Sequence, residues 1–183
     1  MVFFFYGADG YRLRQKTNSV IEQYQAKHKS GLNFSRFDFG ESEALDKLKN
    51  FLDSSPMFAE KKLAIAENLF SASGDKQERF VAYLENSDIL KSQDKFLVVA
   101  QELAISEDKK SKQEYVLKDS QELFKALVDV SAGALAKAEE FDYLTGAKLE
   151  AWIKKETESA GAKIDTGAIR KLAAFVGADL WQM

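Results

Sequence analysis

The chain has 183 residues, of which 45% are hydrophobic and 30% are charged, and its formal net charge is −3. These values are typical of one soluble globular domain, or of one domain with a small second one, and they exclude an intrinsically disordered chain. Because the sequence has no cysteine, it excludes a disulfide framework and a thiolate metal site, and it favours a reducing, cytoplasmic environment. Tight binding to DNA by the chain alone would require a basic excess, so we expect any DNA contact to be shared with partners.

The first predicted element is a buried strand. Residues 2–6 form a continuous apolar run that stops at Gly7, a pattern typical of a central strand in a parallel sheet that helices cover on both faces. The run is too short for a membrane span and lacks the basic start of a signal peptide. A turn follows, with Asp9 as a candidate N-cap, and apolar residues then recur at helical spacing from Leu13 to Tyr24.

Strand and helix patterns alternate through the first 141 residues. Strands are predicted at 32–37, 62–66 and 96–100, and helices at 41–52, 75–86 and 121–130. The lysine-rich segment 107–118 is predicted to be a solvated helix or loop, and residues 135–141 a short strand or extended chain. This alternation predicts an α/β fold with a mostly parallel sheet flanked by helices.

Beyond residue 141 the pattern is helical only. Helices are predicted at 145–160 and 166–176, with Gly177 ending the second and Asp179 capping a further one. The sequence stops as that further helix begins, so we expect an N-terminal fragment of a longer protein. The predicted domains are an α/β domain over residues 1–141 and the start of a small helical domain over residues 142–183.

Pro56, the single proline of the sequence, lies between the second predicted helix and the third predicted strand. It restricts its own φ and pushes Ser55 toward an extended conformation, so the chain must turn here. Met57 and Phe58 follow directly and project from this stiff base. From the residues alone, two interpretations stay open: the pair packs under the loop as core, or it is exposed as an anchor for a pocket on a partner.

Gly7, Asp9 and Gly10 occupy the place where a nucleotide-binding α/β protein has its phosphate loop. The sequence lacks the Gly-Lys-Ser/Thr that such a loop uses to hold phosphates and magnesium, and it does not match G-x-G-x-x-G. The pattern therefore favours a tight turn into a helix. A nucleotide-binding enzyme that uses this turn is the alternative function.

Few residues are candidates for catalysis or metal binding. His28, the single histidine, lies between two lysines near a predicted helix end, which indicates a solvated side chain. Asp9, Asp38 and Glu102 fall near strand ends, where α/β active sites form, but acidic residues are common there. We therefore predict no catalytic residue, no metal site and no cofactor.

Several segments in fixed order resemble the delta subunit of bacterial DNA polymerase III, the clamp-loader subunit that opens the sliding clamp. The resemblance extends over essentially the whole chain. Its motifs are FYGADGYRL at 5–13, SPMFAEKKL at 55–63, EEF at 139–141, WIKK at 152–155 and VGADLW at 176–181. Each motif is moderately specific, but their order and spacing together are hard to obtain by chance.

The resemblance implies an AAA+-like first domain without a working phosphate loop, a small helical lid-type domain, and a helical collar domain that this sequence lacks. It implies that Met57 and Phe58, with Ser55 and Pro56 beside them, insert into the hydrophobic cleft of the clamp and favour its open state. The implied partners are the clamp (the beta subunit), the gamma/tau and delta prime loader subunits, and primed DNA within the complex, with no membrane. ATP hydrolysis would belong to the paralogous subunits.

Overall fold

The structure, a computed structural model, describes residues 1–56, 60–107, 113–117, 119–131 and 136–183. The helices within these ranges are α1 (Gly10–Lys27), α2 (Ala44–Asp53), α3 (Gly74–Asn86), α4 (Gln121–Ser131), α5 (Gly146–Ser159) and α6 (Thr166–Val176). The strands are β1 (Val2–Gly7), β2 (Phe34–Asp38), β3 (Lys62–Glu67), β4 (Lys95–Glu102), β5 (Ile105–Glu107), β6 (Gln113–Tyr115) and β7 (Ala136–Glu140). In these described ranges, no helix combines the length and the apolar character needed to cross a membrane.

Five of the strands form one parallel sheet in the order β2-β3-β4-β1-β7. β1 lies between β4 and β7, so that Phe4 is opposite Val99 on one side and Ala138 on the other. The predicted parallel α/β fold is confirmed, and the apolar run at the start of the chain is an interior strand.

The side chains of β1 alternate between two apolar layers because successive residues of a strand point to opposite faces. Val2 and Phe4 belong to the larger layer, which also contains side chains of α2, α3 and α4. Phe5 belongs to the second layer, where α1 contributes Leu13, Ile21 and other side chains. Three helices therefore contribute to the core on one face, whereas α1 contributes on the other.

The segment between β4 and α4 differs from its prediction. Residues 107–118 were expected to form a solvated helix or loop, but in the described part β5 and β6 pair as antiparallel strands. The charged composition indicated a solvated segment, but contacts with residues distant in sequence hold Tyr115 of β6 in place. The ring of Tyr115 packs edge-on against Tyr6, with 5.8 Å between centroids, and its hydroxyl donates to the Glu140 carboxylate at 2.6 Å.

The last two helices enclose a small core of their own. Leu149 and Ile153 of α5 pack with Ile169 of α6 and with Leu180. Tyr11 of α1 also reaches this cluster, with its ring edge-on to Trp152 at 5.7 Å between centroids. Gly177 ends α6 as predicted, with φ +64°. Asp179 caps a turn, accepting from the Trp181 N–H at 3.1 Å.

Candidate functional site

The loop between α2 and β3 carries the predicted binding residues. Ser55 and Pro56 are exposed at its start. Met57 and Phe58 lie outside the described residues, so the choice between a core pair and an anchor rests on the flanking residues and on related proteins. The described residues on both sides of the pair show how the loop is held.

Lys62 fixes the first end of the loop. It is 2% exposed, and its ammonium group donates to the carbonyl of Phe51 and, at 2.6 Å each, to the carbonyl and hydroxyl of Ser54. The same group lies 5.0 Å from the centre of the Phe51 ring. Burial lowers the pKa of this lysine, and the positive charge of Lys95 lowers the pKa further. Lys62 thus ties the first residue of β3 to the C-terminal end of α2, where carbonyl groups lack helical partners.

Tyr24 and Glu60 fix the second end. The Tyr24 hydroxyl donates to the carbonyl of Lys61 at 2.6 Å and also lies 3.0 Å from the carbonyl of Asn33. The Glu60 carboxylate accepts from the Ser30 hydroxyl and from the Asn33 side-chain amide, and the Ser30 bond is the main cause of its lowered pKa. Burial raises the pKa of Tyr24 to about 12, with the charge of Glu60 adding to the effect.

These contacts leave a short segment between two anchored ends. Ser54 is held by Lys62, and Glu60 and Lys61 are held by residues of α1 and the chain before β2. A loop whose ends are already fixed loses less conformational entropy when a partner orders it.

The turn after β1 is closed by the chain itself. Gly7 has φ +145°, and a Cβ at this position would collide with the backbone of Phe141. The Phe141 N–H donates to the carbonyl of Tyr6 at 2.7 Å, and the Phe141 carbonyl accepts from the Asp9 N–H at 2.9 Å. The residue after β7 thus lies across the turn where a phosphate loop would bind its ligand.

The amides of Gly10 and Arg12, at the start of α1, already have acceptors within the chain. The Gly10 N–H donates to the Ala8 carbonyl at 3.1 Å, and the Arg12 N–H donates to the Asp9 carboxylate at 3.0 Å. Arg12 also donates from its guanidinium to the Asp142 carbonyl at 3.0 Å. An anion at a helix N-terminus needs free amide donors. At this helix the Asp9 carboxylate is the anion, which confirms the predicted N-cap.

The cleft beside this turn is acidic. It has a volume of about 280 Å³ and is lined by Asp9, Glu102 and Asp179, together with Tyr143 and Trp181. The Glu102 carboxylate lies against Gly10, where an added Cβ would contact it. Asp9 is paired with Arg12 at 3.4 Å, so Glu102 and Asp179 contribute the excess negative charge, which repels a phosphate group. The sequence did not predict this role for Glu102, because the residue is far from the turn along the chain.

Comparisons with known proteins decide the family. Residues 3–127, more than half of the chain, match the family model described as "DNA polymerase III, delta subunit". The chain belongs to this family. The matched range includes both the closed turn and the loop between α2 and β3. A search of curated proteins found no significant match.

Solved structures show the same fold. The delta-family chain is similar to a DNA clamp loader delta protein of Bacillus subtilis, with a TM-score of 0.63 and 19% identity over 98% of this chain and 49% of that one. It is also similar to a DNA polymerase III gamma subunit-related protein of Thermotoga maritima, with a TM-score of 0.53 and 10% identity over 99% of this chain and 50% of that one. The chain thus spans about half the length of these structures.

The remaining candidate residues of this delta-family chain have local roles. Asp38 accepts from the Asn68 side-chain amide at 2.8 Å and from the Gly40 N–H at 2.9 Å, and the Asn68 bond is the main cause of its lowered pKa. His28 caps the C-terminal end of α1, with its ring 4.7 Å from that of Tyr24. In the part of the chain that the structure describes, no group of three or more acidic or histidine side chains could hold a metal ion.

Proposed function

We propose that this chain acts as a non-catalytic clamp-loader subunit, which binds the sliding clamp through Met57 and Phe58 and helps to open it. The observation that carries the proposal is the loop between α2 and β3, whose two ends are anchored by Lys62 and by Tyr24 with Glu60. This loop lies within the range that matches the delta-subunit family. In this proposal Ser55 and Pro56 set the direction in which the pair leaves the loop.

In this proposal, Met57 and Phe58 bind the open state of the clamp more tightly than the closed state. A partner shifts a conformational equilibrium only by its difference in affinity for the two states. Burying two large apolar side chains contributes roughly 3–6 kcal/mol before the costs of association. That is enough to hold an open clamp, provided that part of this contact is lost when the clamp closes. Methionine suits such a pocket because its flexible side chain adapts to an irregular surface.

The domain organisation is proposed on the same grounds. Residues 1–141 form an AAA+-like domain and residues 142–183 begin a small helical domain. The closed turn at Gly7, Asp9 and Gly10 supports a subunit that leaves ATP hydrolysis to other loader subunits, and it argues against the alternative of a nucleotide-binding enzyme at this turn. The proposed partners are the beta clamp, the gamma/tau and delta prime subunits, and primed DNA within the complex, in the cytoplasm.

The test is a calorimetric titration of the chain into the cognate sliding clamp. We expect the parent to bind, and a Met57→Ala/Phe58→Ala variant to lose about a hundredfold in affinity or more, because two truncated anchors typically cost about 3 kcal/mol or more together. A Leu172→Ala/Phe175→Ala variant is the matched control, because it also removes two exposed apolar side chains, at α6. This control should bind as the parent does.

Circular dichroism of each variant shows whether it is folded, which separates a lost contact from a lost fold. A folded Met57→Ala/Phe58→Ala variant that no longer binds supports the anchor. If the folded parent does not bind the clamp, or if the folded double variant binds as tightly as the parent, the proposal is wrong. If the double variant unfolds, the pair belongs to the core.

A further inference from the structure

The face of the sheet that α1 covers contains an open groove, which we call the α1 groove. It has a volume of about 470 Å³, within the size range of ligand-binding clefts, and it opens beside the first residues of β1, β3, β4 and β7. Its floor consists of apolar side chains, Phe3, Phe5, Leu63 and Phe96, and one wall is Val20 of α1. The groove exists because α1 spans only part of this face, whereas three helices pack on the opposite face.

The rim of the groove is basic although the chain as a whole is acidic. Lys16, Lys27, Lys61 and Lys137 line it, and they come from α1, the end of the loop before β3, and β7. His28 also lines it, and Glu139, the one carboxylate in the lining, lies 2.9 Å from Lys16. The lining residues therefore have a formal net charge of +3 when His28 is neutral, from four lysines less one glutamate, and Lys61 also lies 3.8 Å from the carboxylate of Asp94, which is outside the lining. An apolar floor with a basic rim is complementary to an acidic ligand that carries apolar groups.

The floor favours a peptide over single-stranded nucleic acid. Binding of single strands relies on aromatic ring faces that are free to stack on bases. Here Phe5 is 2% exposed, and lysine side chains already lie over two of the rings: the ammonium of Lys16 is 5.7 Å from the ring centre of Phe5, and that of Lys61 is 5.5 Å from that of Phe96. Aliphatic side chains need no free ring face and can fill the slot between Val20 and the floor.

We propose that the α1 groove docks an extended acidic segment of a partner protein, with aliphatic side chains on the floor and carboxylates at the lysine rim. This proposal does not depend on the role of Met57 and Phe58 in clamp binding. Lys27 of α1 and Lys137 of β7 are exposed, whereas Lys16 and Lys61 are partly buried. Lys27 and Lys137 are therefore the rim residues to which a docked carboxylate has the freest access.

The experiment measures fluorescence anisotropy of a short fluorescein-labelled peptide that alternates glutamate with leucine, titrated with the whole chain. We expect saturable binding that weakens as salt rises. A Lys27→Glu/Lys137→Glu variant should lose about tenfold in affinity, because each change replaces an attraction with a repulsion. A Lys148→Glu/Lys155→Glu variant changes the net charge equally at exposed positions of α5, and it should bind within about twofold of the parent.

Further probes separate the possible occupants. Replacing leucine by serine in the peptide should abolish binding if the apolar floor is used, and a Met57→Ala/Phe58→Ala variant should bind the peptide as the parent does. The proposal is overturned if the parent fails to bind the acidic peptide, or if both charge-reversal variants lose affinity equally. Tighter binding of labelled oligothymidine than of the peptide would overturn the peptide assignment and make the groove a nucleic-acid site.

Discussion

The turn after β1 lies at the carboxyl ends of the parallel strands, and the loop before β3 lies at their amino ends. The contacts that the chain makes at these two places differ. At the turn, the Asp9 N–H donates to the Phe141 carbonyl, and the Asp9 carboxylate accepts from the Arg12 N–H. At the loop, Lys62 holds Ser54 at the first end, and Tyr24 holds Lys61 at the second end.

This difference concerns the end of the strands at which a partner is proposed to bind. Ligands of parallel α/β sheets normally bind at the carboxyl ends of the strands, which in this chain is the edge with the closed turn and the acidic cleft. The loop proposed to bind the clamp precedes β3 and so lies at the amino ends. The chain therefore has the usual parallel α/β fold, but its proposed contact with a partner lies at the end of the strands opposite to the usual ligand site.

The largest effect on the closed turn should come from Gly7→Ala. The new Cβ would meet the backbone of Phe141, which cannot move without disturbing β7, and the positive φ adds strain. We expect a loss of about 3 kcal/mol or more in the free energy of unfolding, measured with urea. Gly161→Ala is the matched control: its φ is +78° with open space around it, and it should lose about 1 kcal/mol. Equal losses would show that Phe141 does not close the turn.

Lys62→Met should have the next largest effect, at the loop. It keeps an apolar side chain of similar length but removes the donor to Phe51 and Ser54, so we expect a loss of about 2–3 kcal/mol in urea unfolding. Clamp affinity should fall as well in the variant that is still folded. Lys47→Met removes an exposed lysine from α2, and it should change both quantities little. Unchanged clamp binding in a folded Lys62→Met variant would show that the anchored end does not position the pair.

Tyr24→Phe should have a smaller effect, of about 1 kcal/mol, because it removes a single hydroxyl that donates to the Lys61 carbonyl. The contribution of the Tyr24 hydroxyl to the free energy of unfolding should also depend on pH. The folded-state pKa of Tyr24 is raised from 10.0 to about 12, so its contribution is present below pH 10 and is lost as the pH rises from 10 to 12. The parent should therefore lose more stability than the variant across this window.

Urea unfolding at a series of alkaline pH values measures this difference. Tyr143→Phe, which changes a half-exposed tyrosine, is the control and should follow the parent. If Tyr24→Phe also follows the parent curve above pH 10, the Tyr24 hydroxyl does not hold the end of the loop.

The smallest expected effect is that of ATP. Since the amides of Gly10 and Arg12 are bonded within the chain and the adjoining cleft is acidic, magnesium ATP should leave the melting temperature of the chain unchanged. Thermal unfolding followed by circular dichroism measures it, with and without the nucleotide. A concentration-dependent rise in the melting temperature that Asp9→Ala abolishes would restore the nucleotide-binding alternative.

Much of the fold could be predicted from local patterns. The continuous apolar runs of β1 and β4 indicated interior strands, and helical spacing placed α1 to α6 close to their observed bounds. The β5–β6 hairpin could not be predicted, because Tyr115 is held by Tyr6 and Glu140, which are distant in sequence.

The site could be predicted only in part. Its position followed from Pro56 and the apolar pair beside it, and its proposed partner followed from the family resemblance. The burial of Lys62 could not be predicted, because it depends on how the end of α2 lies beside β3. In the sequence, Lys62 is one of several consecutive charged residues. The closing of the turn by Phe141 and Glu102 likewise depends on contacts that only the folded chain brings together.

The most direct test of the account is amide hydrogen exchange of the chain with and without the cognate clamp. Peptides covering residues 55–61 should gain protection on binding. Peptides covering residues 7–12, in which the amides of Asp9, Gly10 and Arg12 are already bonded within the chain, should exchange equally in both samples. Protection at the turn, with none at the loop, would contradict the assignment of clamp binding to the loop before β3.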